Sequence, residues 1–348
     1  MEASTPAPAR IAVVGTGNIA RVHAAALRSL PGADLVAAAD VDRARLHAFG
    51  AEHGVPQLHA DLAELLEAAR PDLVHLCTPP ALHYQQADLC LRAGVSVLVE
   101  KPPALSPREL DLLAASEAAR GDAGPWFATV FQHRFGSGAR RLRAVAAAGV
   151  LGRPLLAICH TTWFRDQAYF DVPWRGRWES EGGGPTMGHG IHQLDLLRYV
   201  LGDWAEISAI ARRQARRMET EDLSMAHVIF FSGAAASVIN CAEPDAWPPG
   251  MTAGSARRVR AAQPGSAPAD GRRPRPSPPD TTQPLAIATP SDLRACQAVR
   301  YDTRVEVFRS AVLDAARSPG GCGGMGGCGR GQRRERAGHG QADRRRPR

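Results

Sequence analysis

The chain has 348 residues, a formal charge of +7 and a hydrophobic content of 44%. This is long enough for two domains with separate cores, and no run of eighteen apolar residues supports a membrane-spanning helix. Residues 1–10 lack a charged-then-apolar signal, and the seven cysteines are scattered and odd in number, so reduced thiols and a cytoplasmic location are expected, with no membrane partner.

The apolar run 11–14 has the character of a buried parallel strand and breaks at Gly15-Thr16-Gly17-Asn18-Ile19-Ala20. This is the G-x-G-x-x-G/A pattern: Gly15 for the tight turn, Gly17 for close approach of backbone to a pyrophosphate, and the small Ala20 for packing helix on strand. A lone glycine-rich turn also occurs where a strand merely meets a helix. Here the surrounding strand, helix, second strand 35–39 and terminal Asp40 favour a dinucleotide site, with phosphates on the helix N-terminus around Thr16, Asn18 and Ile19. Asp40 would accept from both ribose hydroxyls and repel a 2′-phosphate, which favours NAD over NADP. Arg43 and Arg45 follow closely and read either as phosphate partners or as solvated arginines on the next helix.

Residues 44–53 are amphipathic, and a helix over 61–69 has Asp61 as its N-cap. Strand 73–76 runs into Thr78-Pro79-Pro80-Ala81-Leu82-His83, where a helix over 82–93 begins. Strand 95–99 ends at Glu100-Lys101-Pro102, and helix 107–120, strand 126–130 and helix 138–148 complete an alternating series. The expected fold is therefore α/β, with a doubly wound, mostly parallel sheet over residues 10–135. Ligands of such sheets lie beyond the strand C-termini, where Asp40, the Thr78–His83 turn and Glu100-Lys101 all fall. Lys101 is the only lysine beside 41 arginines. Its amine shifts pKa readily and suits acid–base work, while Pro102 biases it toward extended backbone and admits a cis peptide.

From residue 155 the pattern changes to strand-like runs at 155–163, 206–212, 224–231 and 234–240, which predict a second, α+β domain over 136–240 with an open, mostly antiparallel sheet. Between the first two runs, Gly182 to Asp195 carries His189, His192 and Asp195, and both pairs three residues apart would share a helical face. A single histidine there would read as packing. A glycine-flanked pair with an acid points to a site, since imidazole titrates near neutral pH. No third and fourth ligands accompany them, so no metal is expected.

Together these motifs resemble the glucose-fructose oxidoreductase, inositol dehydrogenase and rhizopine catabolism (Gfo/Idh/MocA) family over roughly residues 10–240, the Glu100-Lys101-Pro102 placement being the most specific element. The resemblance implies a Rossmann domain and a second domain whose open sheet binds substrate and mediates homo-oligomers. It implies hydride transfer between NAD(P) and a secondary alcohol or ketone of a sugar or cyclitol. It assigns Thr78, Pro79, His83 and Glu100 to the cofactor side, Lys101 to the reacting oxygen, His192 to its proton, and His189 and Asp195 to substrate. The chain departs from the family at Gly188, where an aspartate is common.

Residues 1–240 carry a net charge of −2 and residues 241–348 one of +9, and Pro plus Gly rises from about 14% to 25% across that boundary. Strand alternation is lost there, apart from a possible amphipathic helix over 295–316. The expected remainder of the second sheet is missing, and the expectation is that 241–348 is out-of-frame translation that leaves the second domain incomplete. Two other functions compete with a dehydrogenase: a non-catalytic dinucleotide-binding protein, and nucleic-acid binding through the basic tail. The latter rests on charge alone, without motif or interleaved aromatics, so no specific nucleic acid is expected.

Overall fold

The computed structural model describes residues 7–121 and 123–243; the 295–316 segment and nearly all of the tail suspected of a shifted frame lie outside the described residues. The first sheet is built from β1 (Ala9–Val14), β2 (Ala33–Ala39), β3 (Gln57–His59), β4 (Leu73–Leu76), β5 (Ser96–Val99) and β6 (Phe127–Thr129). Its order is β3-β2-β1-β4-β5-β6, and every neighbouring pair is parallel. Chain order reverses between β1 and β4, which opens a crevice at the strand C-termini.

The connecting helices are α1 (Asn18–Arg28), α2 (Arg43–His53), α3 (Leu62–Ala69), α4 (His83–Arg92) and α5 (Pro107–Ala118). Their starts follow local chemistry. Asp42, Asp61 and Ser106 each accept a hydrogen bond from the amide three residues on, satisfying an orphan donor of the first turn. One core packs Val14, Val74, Leu76, Val97 and Val99 under Leu65, Leu91 and Leu113; the other packs Val13 and Leu27 with Phe49. Both faces of the sheet are thus covered, which is why its strands read as continuous apolar runs.

The second sheet contains β7 (Leu156–Thr162), β8 (Trp204–Arg212), β9 (Leu223–Phe230) and β10 (Ala235–Cys241) in the order β7-β10-β9-β8. It is mixed rather than wholly antiparallel, since β7 and β10 run parallel while β10–β9 and β9–β8 are antiparallel. Regular pairing continues past residue 240: Trp163 and Arg165 amides donate to the carbonyls of Cys241 and Ala242. Between α5 and this sheet comes α6 (Ser137–Ala147), and a short α7 (Gln167–Phe170) follows β7. The helix expected to extend the β/α series, α6, packs instead on α8 (Ile191–Leu201) of the second domain. One face of the sheet is buried, with Val228, Phe230, Ala236 and Val238 against Ile191 and Leu194. On the other face Leu156, Ile158, Met225 and Ile229 are exposed.

Among the described residues no helix is long and apolar enough to cross a membrane.

Candidate functional site

At the first strand–helix turn, Gly15 has φ +83°, and a Cβ there would stand 2.8 Å from the Cys77 carbonyl carbon, so any other residue is strained twice over. A Cβ at Gly17 would meet nothing. α1 begins without a side-chain cap and with no acid in its first turn, leaving its leading amides, near the exposed Asn18 and Ile19, for an external anion. Open space above uncapped amides fits a pyrophosphate.

Asp40, at the end of β2, is buried. Its Oδ2 accepts from the Thr16 amide (2.7 Å), Thr16 Oγ1 (2.8 Å) and Arg45 Nε (3.1 Å), and its Oδ1 accepts from the Asp42 amide (2.9 Å) and Arg45 Nη2 (2.9 Å). Burial pushes the carboxyl up, but Arg45, Asp42 and Thr16 outweigh it and hold it at about 2. Arg45 is thus neither a plain solvated arginine nor a free phosphate partner: it lies across the carboxylate expected to hold ribose. The Thr16 side chain is wholly buried against Asp40 and ties turn to strand, so its hydroxyl is directed at Asp40.

Two further turns meet at the strand C-termini. Thr78 Oγ1 donates to Gln86 Oε1 (2.6 Å) at the turn that continues through Pro79. His83, expected to face the cofactor, is instead buried as a staple: Nδ1 lies 2.7 Å from the Pro102 carbonyl and Nε2 2.7 Å from that of Thr78. Burial lowers its pKa against the pull of those two carbonyls. Glu100 is also engaged inside the protein. Its Oε1 is 3.1 Å from His23 Nε2, whose Nδ1 is 3.0 Å from His75 Nδ1, and its Oε2 accepts from the Lys101 amide (3.2 Å). His23 thus bridges the Glu100 carboxylate and His75, whose Nε2 is buried without a hydrogen-bond partner. Burial raises Glu100, but His23 and Lys101 bring it below the ordinary carboxylate value. Sequence reasoning missed this chain, although a histidine among Ala20, Ala24 and Leu27 on the buried stripe of α1 was a visible anomaly.

The Lys101–Pro102 peptide is cis, and Lys101 Nζ donates to the Gly188 carbonyl at 2.7 Å. Burial lowers the ammonium pKa, Glu100 and Glu181 raise it, and Arg175 lowers it. Gly188 and His189 belong to a π-helical turn, Thr186–Gly190, that runs directly into α8. This wider turn breaks the expected three-residue stacking. His189 packs against Trp163 and Tyr169, with Nε2 3.3 Å from the Tyr169 hydroxyl, whereas His192 stacks on His133 with ring centroids 4.8 Å apart. Both imidazoles are depressed to about 3, by burial first and then by Lys101 and other neighbouring positive groups. His192 Nδ1 is buried with no hydrogen-bond partner.

Asp195 does not offer a free carboxylate to substrate. Both of its oxygens accept from Arg134, Nε to Oδ2 at 2.6 Å, although burial still raises its carboxyl. Glu221, another residue the sequence did not single out, takes the Gly184 amide at 3.0 Å and the Thr186 amide at 3.3 Å, fixing the start of the π turn. A Cβ at Gly184 would stand 1.8 Å from the Glu221 carbonyl oxygen, so that close approach demands glycine. Lys101 lies within electrostatic reach of His133, His189 and His192. Among the described residues no group of three His, Cys, Asp or Glu is arranged to hold a metal ion.

Residues 9–123 match the sequence model of an oxidoreductase family with an NAD-binding Rossmann fold, and residues 139–244 match the GFO/IDH/MocA C-terminal domain. D-glucoside 3-dehydrogenase of Escherichia coli is 34% identical over 204 residues, 58% of this chain and 56% of the relative. Myo-inositol 2-dehydrogenase of Thermotoga maritima is 28% identical over 66% of this chain and 68% of its own. A crystal structure of the WlbA dehydrogenase from Chromobacterium violaceum, in complex with NADH and UDP-GlcNAcA, superposes with a TM-score of 0.65 at 31% identity, covering 68% of each chain. The first curated relatives are matched over 56–59% of their own length. The glycine turn, the Glu100-Lys101-Pro102 corner and the paired sheets thus agree with both domain matches, and the chain belongs to the Gfo/Idh/MocA oxidoreductase family.

Proposed function

We propose that the protein is an NAD-dependent dehydrogenase acting between a secondary alcohol and the matching ketone of a sugar or cyclitol-like polyol. The observation that carries this reading is the sole lysine held on the Gly188 carbonyl within electrostatic reach of a buried neutral imidazole, His192, beyond the strands whose first turn is open to a dinucleotide. Gly15, Gly17, the leading amides of α1, Asp40 and the Thr78-Pro79 turn would hold the dinucleotide, which when bound supplies the hydride acceptor. One N–H of Lys101 is spent on the Gly188 carbonyl, and two remain for a substrate oxygen, where the ammonium steadies the charge that builds as the O–H proton departs. His192, kept neutral by burial and by Lys101, would take that proton, a role supported by its Nδ1, which has no hydrogen-bond partner. The glucoside and inositol dehydrogenases among the relatives support the substrate class.

NAD is favoured over NADP because the ionised Asp40 repels a 2′-phosphate; Arg45 softens that repulsion by sharing the carboxylate. The exposed apolar face of the second sheet supports homo-oligomer formation, which sedimentation at several concentrations would detect.

Incubation of the full chain with NAD and a panel of glucosides and inositols is expected to raise NADH absorbance, and the Lys101→Ala variant to abolish it. Intact NAD binding with no turnover in either direction would overturn the reading.

A further inference from the structure

Gly188 is approached by two side chains. Lys101 binds its carbonyl, and where a side chain would grow, Glu181 Oε1 stands 3.4 Å from the position of an added Cβ. Glu181 is buried, 5% exposed. Its Oε2 accepts from the Gly176 amide at 2.7 Å, which fixes the carboxylate, while Oε1 lies 3.7 Å from Arg175 Nη1, beyond hydrogen-bonding distance. One oxygen of this carboxylate is therefore anchored, and the other is presented beside Gly188, within electrostatic reach of Lys101. A Cβ at residue 188 would just touch this oxygen, and a longer side chain growing in the same direction would contend with it for the same volume.

We propose that Glu181 is a specificity residue of this site, its Oε1, which faces Arg175 as an ion pair without a hydrogen bond, accepting a hydroxyl hydrogen of a polyol whose reacting oxygen is held by Lys101. The proposal rests on the dehydrogenase reading and adds a preference for substrates with a hydroxyl beside the reacting carbon. Burial pushes the Glu181 carboxyl up, and Gly176, Arg175 and Lys101 pull it back. In return Glu181, with Glu100, raises the Lys101 ammonium against burial and against Arg175; His133, His189 and His192 complete the ring of titratable groups around it.

Because Lys101 is the only lysine, protein carrying carbon-13 at lysine Cε gives one signal that titrates with its ammonium. Glu181→Gln is expected to lower that midpoint by about one pH unit, since an opposite charge is lost nearby. The same variant should lower kcat/KM for myo-inositol or methyl glucoside by roughly 10²-fold, as a buried polar partner lost from a hydroxyl contact does, and leave NAD affinity unchanged. Glu181→Asp, which keeps the charge but shortens the reach, should hold the midpoint nearer to wild type while KM rises. An unchanged midpoint, or undiminished polyol turnover in Glu181→Gln, overturns the proposal. A wild type that binds NAD yet oxidises no polyol overturns the dehydrogenase reading and the substrate part of this one, while the midpoint still decides whether Glu181 and Lys101 are paired.

Discussion

The two sheets solve opposite problems. The parallel sheet is covered on both faces, the few polar side chains buried within it include His59, His75 and Thr129, and Asp40, Thr78 and Glu100 lie at the turns beyond its strand C-termini. The mixed sheet is covered on one face, and polar groups, among them Glu181, His192, Asp195 and Glu221, are buried with α8 and the π turn. A fully covered sheet can hold a backbone-defined nucleotide cradle. A half-covered sheet with charges beneath it can hold a pocket whose properties depend on which of those charges neutralise each other.

The contrast is sharpest at Lys101, which follows the last residues of β5 and donates to the Gly188 carbonyl of the second domain. Lys101→Ala should reduce turnover by roughly 10³–10⁴-fold, within the range for a lost acid–base or charge-stabilising group, and leave NAD affinity nearly unchanged by isothermal titration. A parallel fall in NAD affinity would move Lys101 from the pocket to the cradle.

Stability should divide the two sheets next. Phe49 is fully buried in the parallel-sheet core, and Phe49→Ala should cost about 3–5 kcal/mol in urea unfolding. Ile158→Ser, on the exposed face of the mixed sheet at 67% exposure, should cost less than about 1 kcal/mol in the monomer. Equal costs would show that the outer face is covered in solution.

Acid should act mainly through the second domain. His189 and His192 have folded values of about 3 against an ordinary 6.5. Both states are neutral at these histidines above pH 6.5, whereas below it the unfolded chain takes up protons that the folded chain refuses. Their stability contribution is therefore complete above pH 6.5 and is lost progressively as the pH falls toward 3, by up to about 1.4 kcal/mol per pH unit for each histidine. His192→Gln should flatten the dependence of the melting temperature on pH between 6 and 4; an unchanged slope would mean that His192 charges freely in the folded protein. If His192 is the base of the proposed alcohol oxidation, its acidic limb should fall below the neutral range expected for an ordinary imidazole.

The smallest effect belongs to a helix start in the first domain. Asp61→Ala removes the acceptor of the Glu64 amide and should cost about 1 kcal/mol, with no change in pH slope or turnover. A catalytic defect in that variant would join α3 to the site.

Local signals made the first domain legible. Gly15, Gly17, Ala20 and Asp40 have spacings that arise within one strand–turn–helix–strand unit, and Asp61 caps the residue three positions away. The second domain was legible in its strands, because β9 alternates buried and exposed residues along its length. Its parallel β7–β10 pairing was not, since strand direction depends on partners about eighty residues apart. Asp195 looked available because nothing nearby in sequence marks Arg134 as its partner, 61 residues away. His133 and Glu181 were passed over for the same reason: each looks like an ordinary loop residue until the fold brings it to His192 or Gly188.

By itself the sequence determined the glycine turn, the parallel sheet and the place of Lys101 at a strand C-terminus, because glycine conformations and apolar periodicity are properties of short stretches. The tertiary structure decided how the charges are shared. Arg45 lies over Asp40, Arg134 holds Asp195, the His75–His23–Glu100 chain sits beneath Lys101, and Glu181 fills the space beside Gly188. Electrostatic partnership depends on separation in space and on the exclusion of water, and neither exists until residues distant along the chain are packed together.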